Sequence, residues 1–425
     1  MKLGVSYRTR YRQIIKKNKV LVENFSYISA LQIFLLLSPL ITYPYLVRVL
    51  GRELYGWVIT AQVIAGYCSL IVDFGFKSVS AKHVSIYREN KDKLSEILSS
   101  VLLVRFLLWF FCFIVYTIIV YQIDSYREHI WLFLFSFGIT FNELLFPQFF
   151  FQGIEKMKYI AILNIGIRLF FLLLIFIVVK ETEDYVIVPL LSSIGYFLGG
   201  VVSLYVIFFR EGVRLRYPGM SNMLFHVKDA SPIFVTDVIC SIKDRLNYIL
   251  LGSFVGMSEV VIYDLGSKFT NMLVKPINIV STVFFPRMAK ERNVNLFKRM
   301  AFLSFVGTVG GVVLLNLVLP NVTRFFVDGD VDLLPIRLYL FAPIFLGLSG
   351  FIASNFLIAL GYNKYILYSI IVTTGAYVLM LLLMYFGGTL HCVSAFVGIT
   401  VISYFVELVY RLFVVRKILK NENDR

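Results

Sequence analysis

Residues 101–120 read VLLVRFLLWFFCFIVYTIIV, twenty positions with a single charge, Arg105. At 1.5 Å rise per residue a helix of that length covers about 30 Å, the thickness of bilayer hydrocarbon. The rest of the chain repeats the pattern. Of 425 residues, 59% are hydrophobic and only 16% charged, where a soluble domain carries roughly 25% charged residues. Mean hydropathy is +0.80. Polar residues this scarce cannot cover so much apolar surface in water. The composition therefore excludes a soluble enzyme, a DNA-binding domain and a disordered chain.

Apolar runs of spanning length predict about twelve transmembrane helices: 24–47, 55–77, 98–120, 129–151, 159–179, 185–209, 230–252, 258–283, 299–320, 335–359, 364–386 and 391–414. The first is interrupted by Pro39 and Pro44, and the eighth by Lys268, Lys275 and Pro276. The expected fold class is an all-α integral membrane protein. The expected organisation is a basic cytoplasmic segment 1–23, a six-helix bundle 24–210, a cytoplasmic linker 211–229, a second six-helix bundle 230–414 and a cytoplasmic tail 415–425.

The 41 Lys and Arg fix a predicted orientation. With the N-terminus inside, twenty-nine of them fall in the tails and the loops on the cytoplasmic side, and six on the other. The outer loops are acidic instead, as in Glu181-Thr182-Glu183-Asp184. That asymmetry is the positive-inside signal, and it predicts N-in/C-in topology. It also accounts for the formal charge of +15 without nucleic acid. Segment 1–23 lacks the apolar core of a signal peptide. Tyr7, Tyr11, Ile14 and Ile15 against Arg8, Arg12, Lys16 and Lys19 suit an amphipathic helix on anionic lipid, and a solvated tail equally well.

The two halves begin on the same side, so any internal repeat is parallel. Leu50-Gly51 with Tyr55-Gly56 is echoed by Leu251-Gly252 with Tyr263. Gln152-Gly153 with Lys158-Tyr159 is echoed by Leu360-Gly361 with Lys364-Tyr365. Cys68, Cys112, Cys240 and Cys392 show no metal-ligand spacing. The chain contains no GxxxxGK[ST], HExxH, GxSxG or GxGxxG pattern, and no loop between spans has room for a catalytic domain. These features point to a secondary transporter, not an enzyme.

Charges within the spans are the candidate site residues, because an ionised side chain at the bilayer centre costs about 2.5–3.5 kcal/mol or more unless it faces a partner or a cavity. Depth along the helices suggests the pairs Glu143 with Arg168, Asp237 with Lys275, and Asp73 with Arg105. The last reads as a structural ion pair. On the seventh span Asp237, Ser241 and Arg245 share one face at i, i+4 and i+8, and Lys243 and Asp244 add further charges. With the eighth span this gives four bases (Lys243, Arg245, Lys268, Lys275) and three acids (Asp237, Asp244, Asp264). A cationic surplus in a polar cavity favours an anionic cargo, and Arg and Lys suit phosphate oxygens.

Several of these residues carry a family resemblance. Asp73-Phe74-Gly75-Phe76, Phe150-Phe151-Gln152-Gly153-Ile154-Glu155-Lys156-Met157, Asp244-Arg245 with Ile262-Tyr263-Asp264 and Lys268, and Phe284-Phe285-Pro286-Arg287-Met288 resemble motifs of the Wzx-type polysaccharide repeat-unit (O-antigen) flippases. These belong to the multidrug/oligosaccharidyl-lipid/polysaccharide exporter superfamily. The resemblance covers roughly residues 24–290. It implies two six-helix bundles around a central cavity and translocation of undecaprenyl-diphosphate-linked oligosaccharide across the bacterial cytoplasmic membrane. The expected partners are that lipid-linked cargo, membrane lipids and a polymerase of the same pathway. Under it, Arg245, Lys243, Lys268, Lys275 and Arg168 are candidates for the diphosphate. Asp237, Asp244, Asp264 and Glu143 are candidates for proton or sodium coupling, and no other cofactor is expected. An organic-cation antiporter of the superfamily and a lipid II flippase are the alternatives. A green fluorescent protein fused after Arg425 is expected to fluoresce in the cytoplasm; an active periplasmic phosphatase at the same junction would overturn the orientation.

Overall fold

The computed structural model describes residues 19–327, 329 and 331–423, and within them helices and turns only. The amphipathic reading of segment 1–23 rests almost entirely on residues outside this range. The helices are α1 (Lys19–Asp73), α2 (Phe76–Ile86), α3 (Lys91–Gln122), α4 (Ile130–Phe137), α5 (Phe141–Leu145), α6 (Gln148–Gly153), α7 (Met157–Val178), α8 (Ile187–Tyr205), α9 (Met220–Phe254), α10 (Met257–Glu291), α11 (Val294–Phe326), α12 (Leu334–Tyr339), α13 (Ala342–Ile352), α14 (Lys364–Phe386) and α15 (Val393–Asn423). Helices dominate because a backbone in hydrocarbon must satisfy every N–H and C=O within its own segment.

Nine helical stretches among the described residues are long and apolar enough to cross a membrane. The first, Ser26–Ile86, holds two predicted spans, since Gly51 at φ 75° and ψ 165° breaks α1 into two arms. Helices α9 and α10 have the length, 35 residues each, but are too polar to be counted among these stretches. Together these reproduce the twelve predicted segments. Large side chains such as Phe110, Phe111, Leu314, Leu317 and Phe386 are exposed on the outer helices, as lipid-facing residues are. The protein is a multi-pass membrane protein.

The chain forms two compact units. Among the described residues, one comprises 19–45 and 64–234, the other 46–63 and the described part of 235–423. The tip of the first helical hairpin thus packs in the C-terminal unit: Arg48 Nη2 donates to Phe325 O at 2.9 Å, and Thr60 Oγ1 lies 3.5 Å from Met257 Sδ. The predicted linker is linker only in its first half. Residues 211–219 lie outside any helix, and α9 begins at Met220.

Two motif glycines have a steric cause. Phe74 and Gly75 both adopt positive φ, 49° and 75°, where α1 ends and α2 begins. A Cβ on Gly75 would also lie 3.1 Å from Ala230 O and Phe234 N of α9. At Gly153 a Cβ would lie 2.5 Å from Val84 Cβ and 2.8 Å from Ala81 O, so glycine lets α6 lie against α2. Pro147 ends the preceding turn, because a proline pushes the residue before it out of the helical region; Phe146 sits at φ −112°, ψ 85°. Around these turns Phe76, Val84, Leu98, Phe149, Phe150 and Phe151 form a buried core.

Arg105 is buried inside this unit at 1% exposure. It forms an ion pair with Asp73 at the end of α1, donates from Nη1 to Glu143 O at 2.7 Å, and lies 5.4 Å over the Phe149 ring. Three helical segments therefore meet on one guanidinium. Gly153→Ala is expected to lower stability by about 1–3 kcal/mol through overpacking. Gly166→Ala, at a helical glycine with open space around it, should not. Thermal unfolding in detergent compares the two; equal midpoints would contradict the packing assignment.

Candidate functional site

Helix α9 presents polar residues on two faces. Lys243 and Asn247, one helical turn apart, turn into the C-terminal unit, where both are buried. Lys243 Nζ lies 3.2 Å from Glu407 Oε2 of α15, 3.9 Å from Asp244 Oδ1 and 4.6 Å from the centroid of the Tyr404 ring. Glu407 is shared. Its Oε1 lies 2.8 Å from Arg411 Nη1, and Ser349 of α13 donates to the same oxygen at 3.3 Å. Arg411 also donates to Ser349 O at 3.0 Å and, through Nε, to Ser369 Oγ of α14 at 3.2 Å. One carboxylate thus binds two buried cations from two helices, a charge balance that a low-dielectric interior demands.

One turn away lies a second buried cluster. Asn247 Nδ2 donates to Thr400 Oγ1 at 2.7 Å and to Tyr263 OH at 3.0 Å, while its Oδ1 accepts from Tyr377 OH. Helices α9, α10, α14 and α15 are joined at this amide. Beside the two clusters is a cavity of about 320 Å³, lined among others by Lys243, Asp244, Asn271, Tyr404, Glu407 and Arg411. Tyr404 OH donates to Asp244 Oδ1 at 3.4 Å, so Asp244, an exposed acid of α9, opens on this space.

Of the other predicted residues, Asp264 is as buried as Lys243 and the rest are less enclosed. Lys268 pairs with Asp264 one turn earlier on α10, and Asp264 also accepts from Tyr248 OH at 3.2 Å. Arg245 and Lys275 are half-buried, and Asp237 is exposed. In the N-terminal unit the depth-based pairing of Glu143 with Arg168 does not form. The Glu143 carboxylate accepts from Asn142 Nδ2 at 2.7 Å, and half-buried Arg168 has no ion-pair partner among the described residues. Equal depth on neighbouring helices does not set the rotation of each about its axis, and rotation decides which side chains meet.

The sequence reading placed Lys243 with the diphosphate candidates. In the structure it is buried, paired with Glu407, and lines the cavity beside Asp244. Arg411, inside the predicted span 391–414, is not among the sequence-derived candidates, yet it is only 6% exposed. The missed signal was periodic: Thr400, Tyr404, Glu407 and Arg411 recur at i, i+4, i+7 and i+11, one helical face. Among the described residues no group of His, Cys, Asp and Glu has the arrangement of a metal site.

Glu407→Ala should destabilise the protein more than Lys243→Ala, because it strands two buried cations instead of one carboxylate that keeps a second partner. Breaking a buried pair costs about 3–5 kcal/mol. Unfolding midpoints in detergent give the order, and a larger loss for Lys243→Ala would refute the shared-carboxylate account.

Comparison with known proteins follows this geometry. The model of a family described as "Polysaccharide biosynthesis protein" matches residues 21–292. A relative named as an O-antigen transporter in Escherichia coli (strain K12) is 25% identical over 303 residues, covering 69% of this chain and 72% of the relative. One of the same name in Shigella dysenteriae is 27% identical over 254 residues, covering 60% and 64%. Among solved structures, the lipid II flippase MurJ in an inward closed conformation superposes with a TM-score of 0.75 at 16% identity, over 93% of this chain and 87% of that one. A multidrug resistance MATE family transporter superposes with a TM-score of 0.66 at 16% identity, over 90% and 96%. At these identities the structures establish the fold, which is that of the superfamily named from the sequence motifs. The family match spans well over half of the sequence, so this chain belongs to the polysaccharide biosynthesis protein family.

Proposed function

We propose that this protein is a flippase of the bacterial cytoplasmic membrane. It carries undecaprenyl-diphosphate-linked oligosaccharide units from the inner to the outer leaflet for surface polysaccharide assembly. The relatives named as O-antigen transporters support the cargo class. The observation that carries the reading is the density of charge on α9 and α10, which together hold Asp237, Lys243, Asp244, Arg245, Asp264, Lys268 and Lys275. Such helices need a polar environment, and a sugar diphosphate needs one to cross hydrocarbon.

Within this reading Arg245, Lys268 and Lys275 contact the diphosphate, with Arg168 as a further cation from the N-terminal unit. Lys243 holds the C-terminal unit together. Orientation is N-in/C-in, which places the basic loops at the leaflet where the cargo is made. Alternating exposure of the cargo site to the two faces completes the cycle. Return of the empty carrier by proton or sodium exchange would use the carboxylates Asp237, Asp244, Asp264 and Glu143; of these, Asp244 faces the cavity beside Glu407. The arm of α1 after Glu23 contains no Asp or Glu before the Gly51 break, which disfavours an organic-cation exporter with an acidic site there. The polymerase that extends the flipped units is the natural next partner.

The test is restoration of surface polysaccharide in a bacterium whose own repeat-unit flippase is deleted and which makes a matched lipid-linked unit. Wild type should restore it. Arg245→Ala with Lys268→Ala, present in the membrane at equal level, should lower it at least about tenfold, the loss expected from one or two charge-assisted contacts. Full restoration by the double variant would remove these residues from the site. Failure of wild type with several matched cargoes, alongside export of organic cations, would replace the function.

A further inference from the structure

Residues 211–219, ahead of α9, are non-helical but well held. Lys156 Nζ pairs with Glu211 at 2.7 Å, and Val213 N donates to Ile207 O at 3.3 Å. Arg214 N donates to Ser95 Oγ and Arg216 N to Ser99 Oγ, both at 3.0 Å. The segment is thereby strapped across the first turns of α3. A connection between two bundles does not need pinning at four successive points, so the strap has a shape to hold.

That shape is the mouth of a groove of about 570 Å³ on the N-terminal unit. Leu102, Leu103 and Phe106 of α3, Leu144 and Leu145 of α5 and Leu204 of α8 line its body, and Leu215, Arg216 and Tyr217 of the strap line its mouth. The body offers water almost no polar partner, so stable hydration is disfavoured. Phe106 is 50% exposed at its edge, on the flank of α3 that continues as exposed Phe110 and Phe111, so the groove opens towards lipid. Its volume and its lining, apolar with a few polar groups at one end, are those of a small-ligand site.

The mouth is cationic. Arg216 uses Nη1 for exposed Asp92 at 2.8 Å, which leaves further guanidinium donors for a second acceptor. Lys91 Nζ lies beside the strap, 3.0 Å from where a Cβ of Gly212 would sit, and Arg214 is exposed next to it. Glu211 is already held by Lys156. Tyr217 is exposed beside them, and a tyrosine suits a headgroup contact, apolar ring with a polar tip.

We infer that this groove is a binding site for an anionic phospholipid, with one acyl chain along α3, α5 and α8 and the headgroup phosphate on Arg216. Apolar surface takes the chain, and basic pockets at the ends of membrane helices select anionic headgroups. The strap is itself part of the site. This holds whether or not the cargo assignment above is correct.

The test uses the full-length protein in detergent, stripped of lipid, with native mass spectrometry of added phosphatidylglycerol and phosphatidylethanolamine of matched chains. Wild type should retain phosphatidylglycerol about tenfold better, the equivalent of one charge-assisted contact. Arg216→Gln should abolish that preference, and Asp92→Asn should keep or raise it by freeing the guanidinium. Leu103→Trp, which fills the groove, should reduce retention of both lipids while the protein stays monodisperse. Absence of headgroup preference in wild type, survival of it in Arg216→Gln, its loss in Asp92→Asn, or unchanged retention in Leu103→Trp would overturn the site. Displacement of phosphatidylglycerol by undecaprenyl phosphate at equal concentration, dependent on Arg216, would overturn the phospholipid assignment and give the groove to the cargo chain.

Discussion

An ionised side chain inside a bilayer must find a partner, and the internal order of this protein follows from that constraint. In water Glu407 would be one surface carboxylate among many. Within the C-terminal unit it is the group on which Lys243 of α9 and Arg411 of its own helix converge, with Ser349 and Ser369 completing the donors and acceptors. Arg105 serves the N-terminal unit in the same way, gathering Asp73, Glu143 O and the Phe149 ring. Hydrophobic packing cannot assemble helices from lipid as it does from water, because lipid is as apolar as the side chains. Polar contacts with few alternatives therefore specify which helices meet and at what rotation.

Much of the fold was legible in the sequence because the bilayer imposes a simple code. Runs such as 101–120 have one physical reading, and their number follows from counting. The Asp73-Phe74-Gly75 turn was visible as a motif, although its cause was not. The cause is a positive φ together with the close approach of α9 at Ala230, and a partner 155 residues away in sequence leaves no local trace. The tip of the first hairpin joins the C-terminal unit for a similarly non-local reason. A boundary drawn at residue 210 could not show that residues 46–63 pack with Met257 and Phe325.

The candidate site was legible in part. The concentration of charge on α9 and α10 marked these helices correctly as unusual. Which of those charges are internal was not readable, since Lys243 and Arg245 differ by two residues and therefore by more than half a turn. Arg411 was hidden by its neighbours, standing five residues before Arg416 in a run that reads as a basic tail. The predicted span 391–414 put both near a helix end, whereas α15 continues to Asn423 and carries Glu407 and Arg411 well inside it. Lys243 and Lys268 are paired with Glu407 and Asp264, so the count of four bases against three acids on these two helices does not by itself measure the charge that a cargo would meet.

Transport of a lipid-linked diphosphate sugar by this chain alone is the central claim, and reconstitution tests it most directly. Purified protein would be placed in vesicles containing a short-chain polyprenyl-diphosphate oligosaccharide with a fluorescent sugar, and outer-leaflet label would be quenched over time. Movement of protected label to the quenchable leaflet, dependent on protein and absent for the matched polyprenyl alcohol without diphosphate, is the expected result. Equal rates with protein-free vesicles, or equal rates for the diphosphate and the alcohol, would contradict the account.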